Sequence, residues 1–334
     1  AMMVMKLVFT RMILALFALD LVQSFTTTTR SQSSIVSLSA TLEDSTDFVV
    51  DPNNVGFYRR FSDHVQEKLQ ESGMFESIDD VPSHLKLNQA TQTRGGTSSM
   101  VQIQNFAMKP AEDYKDVVQY SRTALLETID LSSSSNDDDK TVTHLEGIQV
   151  LNFIIVPSAQ TDLPVLGIDL VRLPGGKDLI LLDAQPMVDP NPYQENWKEW
   201  YAEHVDGDVP VFSWGGDFPP PVQQYVSPYA LWTRLQSPEE VSDSEDMWDP
   251  TSIIQNELWD AFTSHLDIYL DLLKQQQQES DSSKTNNQAG YLEYRRTTDP
   301  AKPMLKALYG EEWTQQVLDE VLFPTWMEEK SAGQ

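Results

Sequence analysis

The chain has 334 residues, no cysteine, and 51 acidic against 23 basic residues, for a formal charge of −28. The missing thiols exclude disulfides, thiolate nucleophiles, zinc–thiolate sites and cysteine-ligated iron–sulfur clusters. The acidity argues against sequence-independent nucleic-acid binding, and any redox chemistry must take its electrons from outside or from a non-cysteine cofactor.

Residues 1–40 read as a leader to be removed. Lys6 and Arg11 precede the apolar run Met12–Leu19, which is too short to span a bilayer and fits a signal sequence. A Ser/Thr-rich, acid-poor stretch follows Phe25, and this composition resembles the two-part leader that directs proteins into secondary plastids. The expected location is the plastid stroma of an alga. The leader carries a net +2, so the remaining chain, 41–334, is about −30 and is expected to form a single domain.

Val55 to Leu69 predicts a helix, with Phe57, Phe61, Val65 and Leu69 at helical spacing. Strands are predicted over Met100–Phe106, Tyr120–Ile129 and Ile148–Val156, the last closed by Pro157. Between the second and third lies a polar insertion near 132–141, expected to be solvated. Next comes a hairpin over 163–187, turning at Pro174-Gly175-Gly176 between two apolar runs. The second half is predicted to be mostly helical. Leu258, Phe262, Leu266, Tyr269 and Leu273 form a stripe, 275–288 is low in complexity, and a helical region from Met304 to Leu322 breaks at Gly310. Strands gathered ahead of helices predict an α+β fold, a central antiparallel sheet flanked by helices.

The hairpin carries an acid where an apolar residue is expected. Asp169 shares a strand face with Gly167 and Val171. A buried carboxylate is costly, so either it has a partner or that face lines a cavity where a titrating acid is useful. Gly167 leaves room for something flat against the strand. Asn152 sits in another apolar strand, on the face of Ile148, Val150 and Ile154, and a buried amide needs partners. Asp299 precedes Pro300, which fits a helix N-cap as well as a functional acid. Phosphate-cradling loops, HExxH-type histidine spacing and a G-x-S-x-G elbow are absent.

Together these segments resemble the ferredoxin-dependent bilin reductases. The matching pieces are Gln149–Phe153, Leu163–Val171, Leu173–Gly176, Leu182–Met187, Tyr294-Arg295, Asp299-Pro300-Ala301, Leu308–Trp313 and Val321–Pro324, in the family's order. The resemblance implies a three-layer α/β/α sandwich with the bilin between the sheet and the C-terminal helices. It also implies no bound metal or flavin. Single electrons would come from reduced ferredoxin, which carries the 2Fe-2S cluster, and the bilin would pass through radical states. Asp169 matches the family's strand aspartate, the leading proton donor, and Asp299 the acid on the helical side. Asn152 stands where the phycocyanobilin-forming branch has histidine, and Glu127 aligns with that branch's glutamate. Arg295 is expected to face the bilin.

Ser213–Pro219 and Ser227–Arg234 look most like members that reduce 15,16-dihydrobiliverdin at the A-ring diene to phycoerythrobilin. A reductase of other regiospecificity and a non-catalytic bilin carrier are the alternatives, and a carrier would need neither aspartate. An Asp/Asp hydrolase lacks any carbohydrate or metal signal. The mature chain is expected to be a monomer off the membrane, receiving its bilin by transfer from a preceding reductase.

Overall fold

The computed structural model describes residues 56–78, 81–94, 97–130, 147–173, 177–205, 218, 223, 225–236, 254–276 and 287–325. The leader, the insertion near 132–141, most of 275–288 and Ser213–Pro219 other than Phe218 lie outside them.

The strands are β1 (Phe75–Ile78), β2 (Leu87–Arg94), β3 (Thr97–Pro110), β4 (Val118–Asp130), β5 (Gln149–Pro157), β6 (Val165–Leu173), β7 (Lys177–Gln185) and β8 (Leu231–Gln236). They form one antiparallel sheet in the order β1-β3-β4-β5-β6-β7-β8, with β2 also paired to β3. Helix α1 (Arg59–Glu71) precedes the sheet and α2 (Ser83–Lys86) leads into β2. Later come α3 (Lys198–Val205), α4 (Trp259–Gln276), α5 (Gln288–Thr298), α6 (Lys302–Tyr309) and α7 (Glu311–Val317). A π-helical turn, Leu318–Leu322, extends α7.

Period-2 alternation gives the sheet two apolar faces, and each is covered. Leu125, Leu151, Phe153, Ile155, Ile168 and Leu170 pack beneath α1 and α4. Ile103, Leu126, Ile154 and Val156 face the other way, against Met304, Leu305, Leu308 and Phe323 of the C-terminal helices. The chain therefore adopts the predicted α+β arrangement in three layers. Gly310 does break the last helical region, at φ 87° between α6 and α7.

Three strands escape the sequence reading. β1 is four residues long, and β2 is mostly polar at the sheet edge. β8 falls in the half predicted as mostly helical, and among the described residues its backbone pairs with β7 alone.

A buried ion pair pins the β6–β7 hairpin. Arg172 and Asp178 stand opposite each other in register, joined by two hydrogen bonds of 2.7 and 2.8 Å. The guanidinium lies 3.8 Å over the Phe57 ring. Removing one partner of such a buried pair costs about 3–5 kcal/mol, because the other is left charged without compensation.

Beneath the sheet's first face, the His265 ring stacks 4.5 Å from Trp200 and lies 5.7 Å from Trp197. Burial, with the neighbouring His204, pushes its pKa down to about 3. The unfolded chain binds a proton there near pH ~6.5 and the folded chain does not. Stability from this site is therefore complete above that pH and is lost as pH falls toward 3, by about 1.4 kcal/mol per unit. His265→Phe should flatten that acid slope, read from urea midpoints at pH 7 and pH 5. Equal slopes in the variant and the parent would contradict it.

Candidate active site

On the second face, register sets three polar side chains in a row. Asn152 on β5 stands opposite Asp169 on β6. Arg122 on β4 stands opposite Ile154, one step diagonally from Asn152. Asn152 Nδ2 donates to Asp169 Oδ1, and Arg122 Nη1 donates to Asn152 Oδ1 and, at 2.9 Å, to the Asn152 carbonyl.

Helix α5 completes the cluster from above. Tyr291 and Arg295 lie one turn apart. Arg295 Nη2 reaches Asp169 Oδ2 at 3.5 Å, and its Nη1 donates to Tyr291 Oη at 3.4 Å. The two guanidiniums lie on Phe323, Arg122 at 5.2 Å and Arg295 at 5.3 Å from the ring centroid. Asp299 ends α5, and its Oδ1 accepts the Ala301 N–H at 2.8 Å. The next helix starts at Lys302 rather than Pro300. The hydrogen bond expected of a cap is therefore present, but it closes the turn between two helices.

The sheet face around this cluster is unevenly covered. Toward one end, Arg122, Ile154, Val165, Asp183 and Gln185 are buried. Toward the other, Val150, Asn152, Asp169, Val171, Leu179 and Leu181 are only half-buried, although they sit on strands flanked on both sides, and so is Trp232 on the edge strand β8. Asp169 keeps 21 % of its side chain accessible and Arg295 16 %. A mostly apolar stretch of the sheet face is thus partly accessible beside two acids and a cation, which suits a large planar ligand with a few polar groups.

The charges shape one another. Burial pushes the Asp299 carboxyl up, while Arg295 and the Ala301 N–H pull it partly back. Burial and the facing Arg295 bring Arg122 down to about 10, so it stays a cation at neutral pH. Burial opposes the charge on Arg295, but Tyr291, Asp169 and Asp299 outweigh it and hold that guanidinium above its ordinary value. Asp183, deeper on the same face, is raised by burial to about 7. It accepts hydrogen bonds from the Ser227 N–H (3.0 Å) and hydroxyl, tying down the turn that leads into β8.

Of the residues expected from sequence, Asp169, Asn152, Arg295 and Asp299 come together. Gly167 lies on the same face, but its space is not open. A Cβ there would meet Gln185 Oε1 at 3.0 Å, because that side chain leans across from β7. Glu127 does not join the cluster. It is five residues past Arg122 on β4 and so points to the opposite face, where it pairs with Arg59 of α1. Arg122 and Tyr291 were not anticipated. The signal for Arg122 was in the sequence, as a lone cation on the face of Ala124 and Leu126.

A family model, ferredoxin-dependent bilin reductase, matches residues 140–324. This chain belongs to that family. The phycoerythrobilin:ferredoxin oxidoreductase of Nostoc punctiforme is 39 % identical over 188 residues, covering 54 % of this chain and 68 % of that protein. The enzyme of the same name from Gloeobacter violaceus is 36 % identical over 188 residues, covering 54 % and 71 %. A solved phytochromobilin synthase from tomato, in complex with biliverdin, shares the fold with a TM-score of 0.54 and 19 % identity. That match covers 80 % of this chain and 82 % of the other. The protein is a ferredoxin-dependent bilin oxidoreductase.

In this bilin reductase, Glu127 should behave as a structural group. Glu127→Gln should lower unfolding free energy by about 1–3 kcal/mol, the cost of weakening a largely buried charged hydrogen bond. Bilin affinity, read by absorbance titration, should be unchanged. Lost affinity at full stability would place Glu127 at the ligand.

Proposed function

We propose that this bilin reductase converts 15,16-dihydrobiliverdin to phycoerythrobilin by reducing the A-ring diene, with Asp169 and Asp299 supplying the protons. The observation that carries the reading is the pairing of two acids from different layers, one on strand β6 and one at the α5–α6 junction, around Arg295. A carrier would need neither acid. Two single-electron transfers from reduced ferredoxin and two protons add two hydrogen atoms to the bilin.

Each acid suits a distinct task. Asp299, raised by burial, still holds its proton at pH values where an ordinary carboxyl has lost it. Asp169, partly accessible, is the one that water can reload. Arg295 lies within reach of a ligand carboxylate or a developing negative charge. Transfer of the substrate from a preceding bilin reductase, a monomeric state and a plastid location belong to the same proposal. Residues 1–60 fused to a fluorescent protein would report the location.

The deciding experiment is anaerobic incubation with reduced ferredoxin and either biliverdin or 15,16-dihydrobiliverdin, with products separated by chromatography. The dihydro compound should be consumed, and biliverdin should bind but turn over poorly. Efficient formation of phycocyanobilin from biliverdin would sink the assignment. Binding of both bilins without any product would favour the carrier.

Asp169→Asn should retain the bilin and lose turnover by about 10²–10⁴, the usual worth of a positioned acid. Normal turnover would make Asp169 structural. Asp299→Asn keeps an acceptor for the Ala301 N–H, so the melting temperature should hold while the rate falls. Reduced stability with a normal rate would leave Asp299 only its role in the helix junction.

A further inference from the structure

The polar row on the sheet has a single consistent direction. Arg122 carries only donors, and an ionised Asp169 only acceptors. The Asn152 amide between them has both. Its oxygen must therefore face Arg122 and its nitrogen Asp169, and these are the contacts present. An amide oxygen and nitrogen look alike to the packing around them, so only the hydrogen-bond partners fix the flip.

We propose that Arg122 is a positioning residue for the reduction. By fixing the Asn152 flip, it ties Asp169 Oδ1 to the sheet and leaves Oδ2 as the oxygen that carries the transferable proton. The inference rests on the functional reading above.

Three observations bear on it. Arg122 is 1 % exposed and held by the Leu322 carbonyl as well as by Asn152, so its guanidinium has a defined place. Its Nη2 is buried and, among the described residues, has no hydrogen-bond partner. Such an orphan is costly for a group that only props up the fold. Asp169 Oδ2 takes the Arg295 contact from the helical layer, whereas Oδ1 takes the Asn152 N–H within the sheet. The Asn152 N–H holds Oδ1 closely while Arg295 reaches Oδ2 only at 3.5 Å, so Oδ2 is the oxygen freer to carry the proton of an acidic Asp169.

Without the Arg122 donor, the amide can turn over and present its oxygen to Asp169. That oxygen accepts from a protonated carboxyl and repels a charged one. The proton would then sit on Oδ1, facing the strand and away from the ligand. The other groups around Asp169 are Tyr291 and Arg295 on α5 and Asp299 beyond it, while β7 offers Leu181 opposite.

The test is single-turnover reduction of bound 15,16-dihydrobiliverdin by reduced ferredoxin across pH. It compares the parent, Arg122→Met, Arg122→Lys, Asn152→Ala and Arg122→Met with Asn152→Ala. Arg122→Met should keep the bilin but slow proton-coupled reduction by about 10–10², part of the ~10²–10⁴ that a positioned acid contributes. Its rate should also fall off on the alkaline side at a higher pH than in the parent. Arg122→Lys, which can still donate to the Asn152 oxygen, should recover most of the rate.

In the Asn152→Ala background, Arg122→Met should cost less than about twofold, because residues acting through one another are non-additive. Fully multiplicative losses would overturn the proposal. So would equal loss in the Lys and Met variants with a parental pH profile, which would make Arg122 a pin for the Leu322 carbonyl. If Arg122→Met does not fold, the Lys variant decides: a parental rate and profile supports the proposal, and a loss without a pH shift rejects it. A parent that binds the bilin but does not reduce it would overturn the functional reading instead, and the inference with it.

Discussion

The site depends on strand register. Side chains alternate with a period of two, so a slip of one residue in β6 would turn Asp169 toward the face covered by α1 and α4 and Arg172 onto the face of Asn152. The Arg172–Asp178 pair opposes this. It joins the hairpin strands on the face opposite Asp169, three residues along, where both partners are buried. A buried pair of this kind adds little net stability over an apolar alternative, but breaking it is expensive. In this sheet it penalises any register in which the two charges do not meet. The same register that satisfies them sets Asn152 opposite Asp169.

A row of polar side chains can persist on an otherwise apolar sheet face because its donors and acceptors match. Arg122 gives to Asn152, Asn152 gives to Asp169, and Arg295 gives to Asp169 from the helical layer. Partly satisfied networks are costly in a low-dielectric interior, and nearly satisfied ones enforce a single arrangement. The row also marks where the covering of the sheet changes. On one side the helices close over Ile154 and Val165, and on the other they leave Val171 and Leu181 half-open. Polar residues at that boundary can serve both the fold and a ligand.

How much of this was legible varies with the physics involved. The long strands β3 to β7 and helix α4 announce themselves by apolar periodicity, which reflects local burial. β2 and β8 do not, because edge strands take much of their stability from pairing with a distant segment. Asp169 and Asn152 stood out as polar residues inside apolar runs, and their contact follows once register is known. Glu127 stood in a comparable run, yet its place five residues from Arg122 sends it to the other face and to Arg59. Parity along β4 could have separated the two, but only with the pairing of β4 to β5 in hand. The filling of the space at Gly167 by Gln185 was out of reach, since it depends on a side chain from the neighbouring strand.

Charge gives the last step of synthesis. The chain as a whole is strongly acidic, yet two guanidiniums converge on this one cluster, stacked on the same phenylalanine. In the proposed reaction each electron reaches the bilin before its negative charge is quenched by a proton. Fixed cations beside the ligand stabilise that charge without reorganising at the moment of transfer. They also tend to keep nearby carboxyls ionised, which works against proton donation. Burial resolves the conflict at Asp299, where desolvation outweighs the pull of Arg295 and the carboxyl stays raised. One cluster can thus favour both electron arrival and proton delivery, provided that the cations sit close to the ligand and at least one acid is kept dry.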